Sequence, residues 1–98
     1  MTLPWSGLWR RTMTATPAEF VAALGTAFPG AVVSGDGWVE VSQRDTRLRF
    51  EWSPLPPLRI GALVLARIDV LVRIVAGDAD AAQAFLNTVD RLTQRGGG

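Results

Sequence analysis

The sequence predicts an α+β two-layer sandwich in which an antiparallel sheet of five to six strands carries two helices on one face. A strong helix-start signal near the N-terminus and a second helical stripe near the C-terminus predict the helices. Between them, strand-like runs alternate with short polar turns, which predicts sequential antiparallel pairing. The chain has 98 residues, enough for a single domain over residues 1–98, with flexible ends predicted at 1–7 and 96–98.

The N-terminal part is predicted to form a strand and then a helix. Residues 8–15 roughly alternate between apolar and polar side chains, although Arg11 interrupts the apolar side. Residues 16–19 combine a capping hydroxyl, a proline at the first helical position and a carboxylate that can bond back to the cap. The apolar stripe of this helix contains Phe20, Val21, Leu24, Ala27 and Phe28. Pro29 and Gly30 are predicted to end it.

A hairpin and a third strand are predicted next. Residues 31–34 and 38–42 favour strands, and residues 35–37 between them read Gly-Asp-Gly, a turn signal because these residues tolerate positive φ. After a second polar turn at residues 43–45, residues 46–52 alternate with a period of two, so their apolar side is expected to face the core.

The segment that follows is harder to divide. Residues 53–57 contain three prolines, which remove three backbone donors, so a connector or a stiff edge segment is predicted there. Residues 58–75 are too long for one ordinary strand, and the sequence is interpreted as two strands that separate near Ala66 and Arg67.

The C-terminal segment carries consistent helix signals. Asp78 follows Gly77 and can supply the N-cap, while Arg91 and Arg95 lie near the end, where cations are favoured. The apolar stripe contains Ala82, Phe85, Leu86, Val89 and Leu92. Gly96 is predicted to end the helix.

The predicted order is therefore β-α-β-β-β-β-(β)-α. It resembles the order shared by the TATA-box-binding-protein fold and the helix-grip proteins, in which a curved sheet grips a C-terminal helix. The resemblance covers strand order only. No residue motif of either family is matched, so no function and no site residue carries over.

Composition excludes most enzyme chemistry. The sequence has no Cys, His, Lys or Tyr, and all ten basic residues are Arg. Thiolate nucleophiles and metal ligands, the imidazole general base and metal ligand, and Schiff-base lysines are therefore absent. Carboxylates, Arg and hydroxyls are the groups that remain for catalysis. The expectation is a protein that is not an enzyme and has no cofactor and no metal site.

Location and charge give further expectations. No apolar stretch follows the N-terminal charges as in a signal peptide, and residues 60–66 form an uncharged apolar run far shorter than the roughly 20 residues of a membrane span. A cytoplasmic protein without a membrane partner is predicted. The net charge of +1 is a weak signal for any anionic partner.

The sheet face away from the helices offers two candidate surfaces. Its aliphatic residues are predicted to include Leu63, Leu65, Leu71 and Val75. An exposed aliphatic patch usually marks an association surface, and a symmetric homodimer is its default form. Alternatively, the N-terminal segment with Trp5, or the proline segment, covers these residues.

The same face is predicted to carry arginines, namely Arg47, Arg49, Arg67 and Arg73. They could hold nucleic-acid phosphates while Trp38 stacks on a base. The competing interpretation, which is favoured, pairs them with Glu40, Glu51 and Asp69 across neighbouring strands.

Two weaker hypotheses remain open. A cavity between the sheet and the C-terminal helix could hold a small apolar ligand, although the chain is expected to fill that space with aromatic core residues, namely Trp9, Trp52, Phe20, Phe28, Phe50 and Phe85. Residues 95–98, Arg-Gly-Gly-Gly, resemble the tail of ubiquitin-like sulfur-carrier proteins, whereas a helix cap with a flexible end is the simpler interpretation. The sequence therefore favours a non-enzymatic interaction domain that acts as a homodimer or through a partner protein.

Overall fold

One antiparallel sheet and two helices make up the structure, a computed structural model that describes residues 8–93. The elements are β1 (Leu8–Met13), α1 (Pro17–Ala27), β2 (Val32–Gly35), β3 (Trp38–Gln43), β4 (Thr46–Ile60), β5 (Leu63–Ala76) and α2 (Ala79–Thr93). The strand order is β1-β5-β4-β3-β2, so α1 carries the chain from one edge of the sheet to the other. The predicted α+β class is confirmed.

Both helices begin where the capping signals predicted. At α1, Thr16 Oγ1 accepts from the Glu19 amide at 3.1 Å and Glu19 Oε1 accepts from the Thr16 amide at 2.9 Å, which completes a capping box. At α2, Asp78 Oδ1 accepts from the Ala81 amide at 2.8 Å. These local contacts fix the start of each helix without help from the rest of the fold.

The core lies between the helices and one face of the sheet. Val39, Phe50 and Val72 are register neighbours on β3, β4 and β5, and all three are buried. The rings of Phe20 and Phe50 pack edge to face with their centroids 5.4 Å apart, which joins α1 to the sheet. The predicted aromatic core is confirmed for the buried Phe20, Phe28, Phe50 and Phe85, with Trp9 and Trp52 partly buried against them. The opposite side of the sheet, here called the outer face, carries no helix among residues 8–93.

Of the two alternatives predicted for residues 53–57, the connector is wrong and the edge segment is correct, because these residues belong to β4. The last pair between β3 and β4 joins Trp38 to Glu51, so beyond that point β4 has a neighbour only on its β5 side. A proline on such an open edge forfeits few ladder bonds. The register also shifts between Leu55 and Leu58, and this irregularity accommodates Pro56 and Pro57.

The division predicted near Ala66 and Arg67 is also misplaced, because β5 runs through both residues without a break. The turn lies at residues 61–62, where Gly61 has φ of 58°. A positive φ favours glycine, so Gly61 was the turn signal in this segment. Residues 58–60 therefore end β4, and the sheet has five strands within the described residues.

Candidate interaction site

β4 and β5 extend together past the rest of the sheet. The last pair between β1 and β5 joins Met13 to Ile68, and β3 leaves β4 at Glu51. The two long strands nevertheless stay paired as far as their connecting turn. Residues 55–67 therefore form a two-stranded hairpin, here called the arm, that projects from one end of the sheet.

One face of the arm is aliphatic. Leu58 pairs with Leu65, and Ile60 pairs with Leu63. Residues directly opposite each other share a face and side chains alternate along a strand, so these residues continue the outer face of the sheet. The set, here called the apolar stripe, consists of Leu55, Leu58, Ile60, Leu63 and Leu65. Its outermost members are the most exposed, with Ile60 at 55% and Leu63 at 60%.

The other face of the arm has a different character. It presents Arg59, which pairs with Val64, a residue that is itself 54% exposed. Residues 55–67 contain Arg59 and Arg67 and no acidic residue. Arg67 Nε donates to the Pro56 carbonyl oxygen at 3.1 Å, which ties β5 to the irregular part of β4. Arg59 therefore lies on the face opposite the apolar stripe, whereas Arg67, which pairs with Leu55, lies on the same face as the stripe.

The four predicted interface residues all lie on the outer face, but the structure separates them into two groups. Leu63 and Leu65 belong to the apolar stripe. Leu71 and Val75 lie farther along β5 beside the main sheet, where Leu71 is half-buried and Val75 is 46% exposed. Eight residues of strand separate Leu63 from Leu71, about 26 Å.

Three members of the apolar stripe were not predicted from the sequence, namely Leu55, Leu58 and Ile60. With the turn predicted near Ala66, Leu58 and Ile60 belonged to the same strand as Leu63 and Leu65, and the alternation of side chains put them on the opposite face. Placing the turn at Gly61 would have put both opposite the predicted Leu63 and Leu65.

Ion pairs engage half of the predicted cationic residues on the outer face. Arg49 donates from Nη1 to Glu40 Oε2 and from Nε to Glu51 Oε2, each at 2.9 Å. Arg73 donates from Nε to Glu51 Oε1 at 3.1 Å. The remaining two bond neutral acceptors, Arg47 to Ser42 Oγ at 3.2 Å and Arg67 to the backbone. This geometry matches the cross-strand pairing interpretation for Arg49 and Arg73.

The charges of this network reinforce one another. Hydrogen bonds from Arg49 and Arg73 lower the pKa of Glu51 below its ordinary value. Hydrogen bonds to Glu40 and Glu51 raise the pKa of Arg49. The Arg49 guanidinium also lies over the Trp38 ring, 4.2 Å from its centroid. One face of the Trp38 ring is therefore already occupied by Arg49.

No helix among residues 8–93 has the length and apolar character needed to cross a bilayer. Within the same residues, no group of three or more His, Cys, Asp or Glu side chains could hold a metal ion. The predicted glycine tail and Trp5, like both predicted flexible ends, lie outside the residues that the structure describes.

No protein-family model matches the chain, and no curated protein matches it significantly. The function must therefore be argued from the geometry of the outer face and the arm.

Proposed function

We propose that this protein is a non-enzymatic interaction module that binds a second copy of itself through the apolar stripe of the arm. The observation that carries the proposal is the exposure of aliphatic side chains on one face of a projecting hairpin. An isolated two-stranded hairpin is marginally stable in water, so an arm with an exposed apolar face is expected to gain from a partner.

Burial of the stripe supports a weak dimer. Leu58, Ile60 and Leu63 are 36%, 55% and 60% exposed. Fully burying such a side chain stabilises by about 1.5–3 kcal/mol, so covering the exposed parts of these three contributes roughly 2–4 kcal/mol per copy. Two copies double that gain, which is comparable to the lower part of the cost of association, roughly 4–15 kcal/mol. A concentration-dependent dimer is therefore expected.

Charge placement favours a second copy as the occupant. The stripe is aliphatic along its length, so stripe against stripe matches apolar surface with apolar surface about a two-fold axis. Arg59 lies on the other face of the arm. With the arms antiparallel and Leu65 near the axis, the two Arg67 side chains lie about 13 Å apart along the strand direction, beyond the screening length of about 8 Å in physiological salt.

A nucleic-acid partner is less well supported. Arg49 and Arg73 are paired with acids on the outer face, and the Trp38 ring is engaged by Arg49. Binding to nucleic-acid phosphates needs Arg or Lys side chains that can replace the counterions of the nucleic acid, and an Arg that is already paired with a carboxylate is less able to do so.

Adjacent residues on opposite faces of the arm provide the test. Leu63 and Val64 are exposed to a similar degree, 60% and 54%, but only Leu63 belongs to the apolar stripe. Leu63→Asp and Val64→Asp add the same charge one residue apart. The dissociation constant of the dimer is measured by sedimentation equilibrium, with circular dichroism to verify that both variants fold.

If the dimer forms through the apolar stripe, the two variants should differ in their effect on the dissociation constant. Leu63→Asp is expected to weaken the dimer by at least about 30-fold, because each copy loses a buried leucine and gains a charge in the contact. Val64→Asp is expected to change affinity by less than about threefold. Equal effects of the two variants would exclude the apolar stripe as the contact surface, and a wild-type protein that stays monomeric would exclude self-association.

A further inference from the structure

A cleft opens at the end of the sheet edge formed by β1. Its volume is about 490 Å³, within the range of about 300–1,000 Å³ that small-molecule sites occupy. Three elements enclose it: residues 11–15 of β1 and the following turn, the first turns of α1, and the last turn of α2. It is unrelated to the arm, so an inference about it does not rest on the proposed function.

The cleft has an apolar floor. Phe20, which is only 3% exposed, lies at its base, and Met13, Ala15 and Ala23 contribute further apolar surface. The two alanines leave unfilled space where larger side chains would close the gap. The sequence prediction of a filled core holds for the buried aromatic residues but does not extend to this corner.

A charged pair lines the cleft on the side of the sheet that faces the helices. Arg11 Nη1 lies 2.7 Å from Asp90 Oδ2, and the two side chains are 31% and 33% exposed. Arg11 is the residue that interrupts the apolar side of β1. Its Nε–H is shielded from solvent and has no acceptor among the described residues. Burial raises the pKa of Asp90, against the opposing influence of Arg11.

A partly desolvated ion pair contributes little net stability, so its presence on an otherwise apolar face calls for another explanation. An apolar pocket with a few convergent polar groups is the common form of a small-molecule site. Among the charged side chains that line the cleft, Arg11 and Asp90 neutralise each other, and the Glu19 carboxylate accepts a hydrogen bond from the Thr16 amide at 2.9 Å. Thr12, Thr14 and Thr93 complete the polar lining.

We infer that this cleft binds a small neutral amphiphile, with an apolar body against Phe20 and Ala23 and a carboxamide-type head at Arg11 and Asp90. A carboxamide offers a carbonyl acceptor for the guanidinium and an N–H donor for the carboxylate. A carboxylate head would be repelled by Asp90 and an ammonium head by Arg11. The neutral charge of the pair thus selects a neutral head with both functions.

The test uses hexanamide as the probe, with hexanoate and hexylamine as charged controls of the same chain length. Backbone amide shifts are followed by two-dimensional ¹⁵N NMR as each probe is added to the full-length protein. Saturable shifts are expected at Met13, Phe20 and Ala23 with hexanamide, with at least about fivefold weaker binding of the charged probes.

Two variants localise the binding. Ala23→Leu fills the cleft and should abolish the hexanamide shifts, whereas Ala18→Leu, on an exposed position of the same helix, should leave them unchanged. Arg11→Met removes the donor without filling the space and should weaken binding about tenfold. The spectra report whether each variant is folded.

Three results would overturn the inference. They are the absence of saturable shifts with hexanamide, shifts that persist in Ala23→Leu, and binding of hexanoate or hexylamine at least as tight as that of hexanamide. Loss of affinity in Ala18→Leu to the same extent as in Ala23→Leu would also count against it.

Discussion

Replacement of Arg11 and Asp90 by apolar residues tests whether their ion pair stabilises the fold. The variants are Arg11→Met, Asp90→Leu and the double variant. Removing one partner of a buried pair costs about 3–5 kcal/mol, whereas exposed pairs contribute about 0–1 kcal/mol. The Arg11 side chain is 31% exposed and the Asp90 side chain is 33% exposed, which places the pair between these two cases. Arg11→Met is therefore expected to lower the free energy of unfolding by roughly 1–3 kcal/mol.

The double variant is expected to behave differently. With both charges gone, no unpaired group remains, and apolar side chains pack against the floor of the cleft. Its free energy of unfolding should therefore lie within about 1 kcal/mol of the wild type or above it. A double-mutant cycle then gives a coupling energy of opposite sign to the single losses.

The effect of pH follows from the direction of the Asp90 pKa. Burial raises this pKa and Arg11 lowers it, with burial the larger influence. Because the pKa of Asp90 is higher in the folded protein than in the unfolded chain, its protonated form stabilises the fold. The contribution of Asp90 to the free energy of unfolding is therefore complete below the pKa of the unfolded chain, about 3.9, and is lost as pH rises through the pKa of the folded protein. Arg11→Met raises the pKa further, so its loss of stability should be larger at pH 7 than near pH 4.

Urea unfolding followed by tryptophan fluorescence provides the assay, because Trp9 and Trp52 pack against the core. Unfolding curves of the four proteins are compared at pH 7 and near pH 4. The reasoning fails if the double variant loses as much stability as the two single variants together. It also fails if the loss in Arg11→Met is the same at both pH values.

Three further predictions concern the fold and its outer face. Gly77→Ala should lower the free energy of unfolding by about 2–4 kcal/mol, because Gly77 has φ of +102° and an added Cβ would lie 2.9 Å from Thr46 Oγ1. Gly25→Ala should raise the free energy of unfolding by about 0.5–1 kcal/mol, because an added Cβ there would meet nothing within 4 Å. Thermal melts that rank the two variants in the opposite order would contradict the backbone argument. Phe50→Ala should cost about 3–5 kcal/mol, since Phe50 is 1% exposed, and chemical denaturation showing a loss below about 1 kcal/mol would contradict its central place in the core. Glu51 has a lowered pKa, so its contribution is present above about pH 4.3 and is lost as pH falls through the folded pKa. Glu51→Gln should therefore reduce stability at pH 7 and flatten its decline in acid, and an unchanged acid-unfolding profile would refute this.

Local signals predicted the helices well. The capping box at Thr16 and Glu19 and the cap at Asp78 depend on residues three apart, so their geometry is encoded within one turn. The Gly-Asp-Gly turn likewise predicted the hairpin of β2 and β3, and the alternation of residues 46–52 predicted the first part of β4.

Non-local features were not predictable in the same way. The prolines near Pro56 read as strand breakers because the sequence does not show that β4 loses its β3 neighbour there. Because Gly61 was not interpreted as a turn residue, the predicted turn was misplaced, and Leu58 and Ile60 were left out of the predicted interface. The sequence showed Arg11 as an interruption of the apolar side of β1. Its partner Asp90 lies near the other end of the chain, and the two side chains meet only when α2 packs against the sheet.

The molar mass of the wild-type protein in solution tests the central claim most directly. Light scattering after size exclusion, over a wide range of protein concentrations, distinguishes one chain of 10.6 kDa from two. The apolar stripe predicts a mass that rises with concentration towards twice 10.6 kDa and does not rise further. A mass that stays at 10.6 kDa at every concentration would contradict self-association through the arm.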